Sequence, residues 1–488
     1  MTSILGLDIG TTSAKAVLFN LDGKVLSENE QPYPILHPES GWAEQDPNQI
    51  EQATITAVQN VMKNQSNELL GIGLSTAMHS LIAIDSVGKP LSNAIIWADQ
   101  RSTAETSNIT STIYLNTGTP LHPMSPLSKL KWMNKHDIEY YHQADYFVTV
   151  KEYLLYHWFG EKVVDYSMAA STGLFNIHNL NWDSNALVEA GISTNQLFEP
   201  VSSFTTLTNI KTEIAEQMGI MPDTPFVLGG SDGPLANLGI GAIHPGETAI
   251  TIGTSGAIRQ FSNEPLLDSK QEIFSYAFTD DSWITGGPTN NGGIVLKWVQ
   301  DLISTEQQQY SMDDMNNLAN SVPPGSEKLI FLPYLNGERA PFWDAQAKGS
   351  YIGLHPQHKK EHLIRASMEG VIYSIYHIGH VLERLGNQHD TLFASGGFAR
   401  SSLWLQILSD TFGKPVKVPE SHQSSAWGAA WVALGALKGH NLKDIKHSIP
   451  MKAEIEPNMD YHQIYQEQFD IYQGLYHQLK ETFKKLSS

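Results

Sequence analysis

Two acidic residues, Asp8 and Asp232, stand where an apolar run gives way to glycine and small hydroxyl residues. Asp8 precedes Gly10-Thr11-Thr12-Ser13, and Asp232 closes the run Phe226-Val227-Leu228-Gly229-Gly230-Ser231. Glycine lets backbone approach a ligand, and successive turn N–H groups with Thr and Ser hydroxyls make a concave donor surface suited to an anion. A carboxylate two positions before such a turn would repel bare phosphate, but not phosphate carrying Mg²⁺, which takes hard oxygen ligands. Asp232 suits proton transfer instead. In phosphoryl transfer one carboxylate accepts the proton of the attacking hydroxyl, while other groups position and offset charge. Each stretch also has a purely structural reading. The first would be a buried hairpin whose threonines satisfy turn carbonyls, and Asp232 would be the N-cap of a helix with Pro234 in its first turn.

A repeat separates these readings. Ile9-Gly10-Thr11 recurs as Ile252-Gly253-Thr254, followed by Ser255, 243 positions later in a chain of 488. That spacing implies two related halves, each offering a phosphate-binding hairpin. Two further clusters lie where strands end. Met78-His79-Ser80 and Trp97-Ala98-Asp99-Gln100-Arg101 combine residues suited to a polyol or sugar acid, with hydroxyls met by Asp99 and a carboxylate by Arg101 or His79. Gly396-Gly397, after a strand and before a helix, is a nucleotide-type junction open to phosphates. His358-Lys359-Lys360-Glu361-His362 matches an inverted zinc-protease spacing, but charged residues opening a long helix account for it better.

The elements that must hold these groups alternate. Ile4–Ile9 and Ala14–Phe19 read as a hairpin, and Asp46-Pro47 opens a helix with Ile50, Thr54, Ala57, Val58 and Val61 on one face. Strands at Leu69–Ser75, Phe226–Leu228, Leu329–Leu332 and Thr391–Ala394 alternate with helices, the longest spanning about Glu361 to Leu385. Such alternation indicates α/β architecture with mixed sheets in both halves. The turn His244-Pro245-Gly246 suggests a division into residues 1–245 and 246–488.

Composition narrows the function. A net charge of −20 argues against nucleic acid and anionic membrane surfaces as partners. The absence of cysteine excludes disulfides, thiolate metal sites and a cysteine nucleophile. The opening strand lacks the pattern of a secretory leader and no apolar run reaches membrane-spanning length, which implies a soluble cytoplasmic protein.

With these residues assembled, the chain resembles the FGGY family of carbohydrate kinases, within the larger group sharing the actin, Hsp70 and hexokinase ATPase fold. The resemblance runs over nearly the whole chain. It rests on Asp8-Ile9-Gly10-Thr11-Thr12-Ser13, Ala77-Met78-His79, Trp97-x-Asp99-x-Arg101, Gly230-Ser231-Asp232, Ile252-Gly253-Thr254-Ser255, Gly337-Glu338-Arg339-x-Pro341 and Gly396-Gly397-x-Ala399-x-Ser401-x-x-Trp404. It implies two actin-like (ribonuclease H-like) ATPase domains flanking a central cleft that holds Mg²⁺ and ATP. The first domain would carry the sugar site, one hairpin and the catalytic Asp232, and the second the other hairpin and the adenosine site. The resemblance further implies that Asp8, with Asp232, holds the metal. Gly10, Thr11, Thr12, Ser13, Gly253, Thr254, Ser255, Gly396 and Gly397 would meet ATP. His79, Ser80, Trp97, Asp99 and Arg101 would shape the sugar pocket. Pentulose kinases of the family usually show Met-His-Gly where this chain has Met78-His79-Ser80, a departure closer to the gluconate kinases. The implied reaction is transfer of phosphate from ATP to the terminal hydroxyl of D-gluconate. D-Xylulose or another polyol is the alternative acceptor, and an actin- or Hsp70-like ATPase switch the more distant alternative. The family allows a homodimer.

Overall fold

A computed structural model of the chain describes residues 2–65, 67–420 and 423–487. Two compact units emerge, neither continuous in sequence. The first comprises Met1–Ile243, Phe261–Ile284 and Gln423–Ile449, and the second His244–Gln260, Thr285–His422 and Pro450–Ser488. Where the sequence suggested one cut after residue 245, the chain re-enters the first unit twice. The cause is hydrophobic: Phe261, Phe274, Tyr276, Phe278, Trp427 and Trp431 are buried in the same core as Ile4, Val17 and Phe19.

In the first unit, strands Thr2–Ile9 (β1), Ser13–Asn20 (β2), Val25–Pro32 (β3), Glu68–Thr76 (β4), Thr206–Leu207 (β5) and Phe226–Ser231 (β6) form a six-stranded sheet in the order β5-β6-β4-β1-β2-β3. β1 runs antiparallel to β2 and parallel to β4, and β4 runs parallel to β6. Helices Pro47–Met62 (α1), Val150–Phe159 (α2), Tyr166–Ala170 (α3) and Asp232–Gly239 (α4) belong to this unit. α1 begins where the sequence places it, with Pro47 in its first turn and the Asp46 carboxylate accepting the Asn48 N–H at 2.9 Å.

The second sheet repeats that grammar. Glu247–Ile252 (β7), Gly256–Ser262 (β8), Phe274–Ala277 (β9), Trp283–Thr289 (β10), Thr391–Ser395 (β11), Val416–Pro419 (β12) and Met451–Ile455 (β13) lie in the order β9-β10-β8-β7-β11-β12-β13. β7 is antiparallel to β8 and parallel to β11, and β11 is parallel to β12, matching the relations of β1, β2, β4 and β6. Helices Gly293–Ile303 (α5) and Lys360–Arg384 (α6) belong to the second unit, Ser424–Lys438 (α7) returns to the first, and Met459–Leu486 (α8) closes the chain in the second.

α7 lies unusually close to the first sheet. A Cβ added at Gly6 would sit 2.0 Å from the Ala426 carbonyl oxygen, and one at Gly73 2.0 Å from that of Ala429. Glycine on β1 and β4 is therefore what lets the helix backbone rest against the strands that carry Asp8 and Ser75. Among the described residues no helix is long and apolar enough to cross a membrane.

Candidate active site

The strand register in the first unit places the acidic residues. Asp8 on β1 pairs with Ser75 on β4, which pairs in turn with Gly230 on β6, so the three lie in one row across parallel strands. Asp232 follows two residues beyond that row, as the first residue of α4. The N-cap position belongs to Ser231, so Asp232 is not the cap that a purely structural reading would make it. The Ser75 hydroxyl donates to Asp8 Oδ1 at 2.6 Å. Burial raises the Asp8 pKa to about 6 against that hydrogen bond, and the Asp232 carboxylate pushes it further up.

The turn between β1 and β2 has its carbonyls taken by outside donors. Tyr33 Oη donates to Gly10 O at 2.5 Å, Gln45 Nε2 to Thr11 O at 2.6 Å and the Tyr33 N–H to Thr12 O at 3.0 Å. Trp97 Nε1 donates to Thr11 Oγ1 at 2.9 Å, which ties the hairpin to one of the strand-end clusters. Ser13 is held on the far side by Glu30, at 2.6 Å.

The other strand-end cluster is backed by buried polar groups. His79 has a left-handed backbone, φ +68°, which a non-glycine residue adopts only under constraint from its surroundings. Two of those constraints are visible: the fully buried Lys129 ammonium donates to His79 O at 2.5 Å and to Ile95 O at 3.0 Å, and His79 Nδ1 lies 2.7 Å from the Ser171 carbonyl. A carbonyl only accepts, so the latter contact puts a proton on Nδ1. Burial lowers the Lys129 pKa to about 7, with Asp99 opposing the drop. Ser80 Oγ accepts the Val150 N–H at 3.0 Å, and Ser80, Thr11, Thr76 and Trp97 line one small cavity.

Asp99 and Arg101 face each other inside the protein. The Asp99 carboxylate accepts the Ala43 N–H at 2.7 Å, Arg101 Nε at 2.9 Å and Arg101 Nη2 at 2.8 Å. Arg101 Nη2 also meets Glu44 at 2.6 Å, and the guanidinium lies 3.6 Å over the Trp42 ring. Asp99 therefore presents a locked ion pair rather than an open carboxylate.

In the second unit the hairpin Gly253-Thr254-Ser255 is exposed at Gly253 and Thr254. Its carbonyls are again occupied: the Gly293 N–H, opening α5, donates to Gly253 O at 2.7 Å, and the Gly292 N–H to Thr254 O at 3.1 Å. The residue matching Asp8 is Thr251, whose hydroxyl meets Ser395 Oγ at 2.9 Å across the same register that joins Asp8 to Ser75. Gly396 and Gly397 follow at the end of β11, both exposed. Gly396 takes φ +94°, where a Cβ would lie 2.4 Å from Ile252 O.

The structure thus gathers Asp8, Gly10, Thr11, Thr12, Ser13, His79, Ser80, Trp97, Asp99, Arg101 and Asp232 in the first unit, and Gly253, Thr254, Ser255, Gly396 and Gly397 in the second. It also adds residues that no local motif marks: Glu44, Ser75, Lys129, Lys151, Ser167 and Ser171. The long Ser102–Ala215 stretch that holds most of them has short helices and little periodicity, so no sequence signal pointed to them.

Comparison with known proteins settles the class. Residues 3–239 match the N-terminal domain of the FGGY family of carbohydrate kinases and residues 248–437 its C-terminal domain. The chain belongs to that family, and it is a carbohydrate kinase with the two-domain, actin-like α/β fold. It is 45% identical to a gluconokinase of Bacillus subtilis over 451 residues, 89% of this chain and 88% of that one. A crystal structure of gluconate kinase from Lactobacillus acidophilus matches with a TM-score of 0.96 at 34% identity, covering 99% of both chains. A ligand-bound xylulose kinase from the same organism matches with a TM-score of 0.97 at 34% identity, covering both chains fully.

Proposed function

We propose that this kinase transfers the γ-phosphoryl group of ATP to the terminal hydroxyl of D-gluconate, giving 6-phosphogluconate and ADP. The observation that carries the chemistry is the pair of carboxylates at the ends of parallel strands: Asp8, raised to about 6 by burial and by Asp232, and Asp232 opening α4. Two carboxylates that oppose each other's ionisation suit a divalent cation, and Mg²⁺ binds through one or two carboxylates with water and substrate phosphate. Asp8 and Asp232 would hold it, and when bound it would offset the negative charge of the phosphates.

Asp232 is the general base. Its carboxylate takes the proton of the attacking hydroxyl as the new oxygen–phosphorus bond forms and the bond to the ADP oxygen breaks. The donors of Thr11 and Thr12 and the Ser13 N–H meet phosphate oxygens, while the Gly10 N–H closes the turn onto Ser13 O at 2.9 Å, the Ser13 hydroxyl stays on Glu30 and the turn carbonyls are already turned to Tyr33 and Gln45. The hairpin of the second unit offers Thr254 and Ser255 as donors of the same kind, and beside it Gly397 leaves open space where a Cβ would meet nothing within 4 Å. His79, Ser80 and Trp97 meet the sugar acid, and Asp99 and Arg101, bonded to each other, stand two and four residues beyond Trp97.

Gluconate is favoured as acceptor by the 45% identity to a gluconokinase and by Ser80, whose hydroxyl, accepting from Val150, still has a proton to give to a carboxylate. D-Xylulose is the second reading, supported by the equally close xylulose kinase structure. ADP release measured with no sugar, then with gluconate, xylulose, ribulose and glycerol, separates them. Stimulation by gluconate above the other acceptors is expected; stimulation by xylulose alone would transfer the assignment, and turnover independent of sugar would favour an ATPase switch.

A further inference from the structure

The strand that delivers Asp232 is irregular just before it. β6 pairs with β4 through Val227↔Gly73 and then Gly230↔Ser75, so three steps on one strand meet two on the other: a β-bulge at Leu228 and Gly229. Gly229 takes φ +64°, and a Cβ there would lie 2.1 Å from Leu74 O. On one side the amides of Leu228 and Gly229 find Thr205 O and Ser203 O, each at 3.0 Å. On the other side the carbonyls of Leu228 and Gly230 turn to a lysine.

Lys151, near the start of α2, has a side chain 1% exposed. Its ammonium donates to Leu228 O at 2.8 Å, Gly230 O at 2.8 Å and Asp165 Oδ2 at 2.7 Å, which uses its three hydrogens. Asp165 Oδ1 accepts the Met168 N–H at 3.0 Å and so caps α3. Ser167 of α3 completes the circuit: its Oγ accepts the Ser231 N–H at 2.9 Å and lies 2.6 Å from Ser231 Oγ. The backbone is thereby gripped at residues 228, 230 and 231, up to the peptide that leads into Asp232. Burial lowers the Lys151 pKa, and Asp165 and Asp232 favour its charge.

We infer that Lys151, acting with Asp165 and Ser167, is a positioning residue for the catalytic base: it holds the bulged end of β6 so that Asp232 is aimed at the acceptor hydroxyl. The inference rests on the reading of Asp232 as the base. It differs from a plain structural role in what it predicts for kinetics, because a shift of about 1 Å in a reacting group can cost about a hundredfold in rate.

Lys151→Met alone would leave the Asp165 charge buried and unpaired and would destabilise the fold. The informative variant is therefore Lys151→Met combined with Asp165→Asn, which removes both charges. Its kcat is expected to fall by about 30- to 300-fold, with KM for ATP and for the sugar within about threefold of the parent. Ser167→Ala, which leaves the ion pair intact but the buried Ser231 N–H without its acceptor, is expected to lower kcat by about 5- to 20-fold with the same KM pattern and only a modest drop in unfolding temperature. In an Asp232→Asn background, whose own rate is measured in parallel, Ser167→Ala should cost less than about twofold more, since there is no base left to aim. A kcat within threefold of the parent in both the double variant and Ser167→Ala would overturn the inference while leaving Asp232 as the base. If the double variant does not fold, the Ser167→Ala results in the two backgrounds decide alone, and equal losses in both would also overturn it. Parent-like turnover in Asp232→Asn would instead defeat the reading on which the inference rests.

Discussion

The hairpins β1–β2 and β7–β8 are built alike and equipped differently. Each pairs antiparallel within itself and parallel with a following strand, and each ends its first strand in Ile-Gly-Thr. In the first unit the residue before that motif is Asp8, bonded to Ser75; in the second it is Thr251, bonded to Ser395. The partner strands diverge in the same way. Beyond β4 comes β6 with its bulge and Asp232, whereas β11 itself runs out into Gly396-Gly397. At the end of its first strand one hairpin thus carries an ionisable group and the other a neutral hydroxyl.

That contrast can be broken residue by residue. Asp8→Asn is expected to lower kcat by about 10²-fold or more and to raise the Mg²⁺ concentration needed for half-maximal rate, read from rates across a Mg²⁺ titration. Thr251→Val, the matching change in the second unit, should cost less than about threefold, because it removes one hydroxyl contact and no charge. Equal losses for the two would erase the asymmetry. Gly73→Ala tests the scaffold: a methyl placed 2.0 Å from the Ala429 carbonyl must push α7 off the first sheet, with a loss of about 1–3 kcal/mol seen as an earlier first unfolding transition.

The last effects are in pH dependence, and they have opposite signs in the two units. In the first, burial lifts Glu152 to about 7, with Asp165 adding to the rise while the Thr149 hydrogen bonds and Lys151 oppose it. A carboxyl raised in the folded state contributes stability below its unfolded pKa that is lost as pH climbs through about 7. Glu152→Gln should therefore gain on the parent in unfolding temperature as pH rises from about 4.5 to 7. In the second, burial drops His377 to about 3, with His380, Arg384 and His477 pushing the same way. Its contribution is present above about 6.5 and is lost as pH falls toward 3, so His377→Leu should gain on the parent in acid. A flat difference for either variant would contradict the burial that underlies it.

Much of this contrast was legible in the sequence, for local reasons. The Ile-Gly-Thr repeat, the Asp46-Pro47 helix start and the Gly230-Ser231-Asp232 stretch depend on residues adjacent in the chain. What could not be read depends on partners far apart. Lys151 sits 77 residues from the Leu228 carbonyl it holds, and Lys129 lies 50 from His79. The bulge at Gly229 is a property of pairing with β4, invisible in β6 alone. Asp99 and Arg101 were legible as a cluster, but their burial against Glu44 and Trp42 follows from packing. The segments 261–284 and 423–449 join the first unit through aromatic burial, which no boundary signal announces.

The central claim is that Asp232 accepts the proton of the sugar hydroxyl. A single-turnover measurement on Asp232→Asn, with labelled γ-phosphate on ATP and with gluconate present, tests it directly. The account predicts ATP binding within about threefold of the parent and transfer slower by about 10³-fold or more; transfer at a rate comparable to the parent would contradict it.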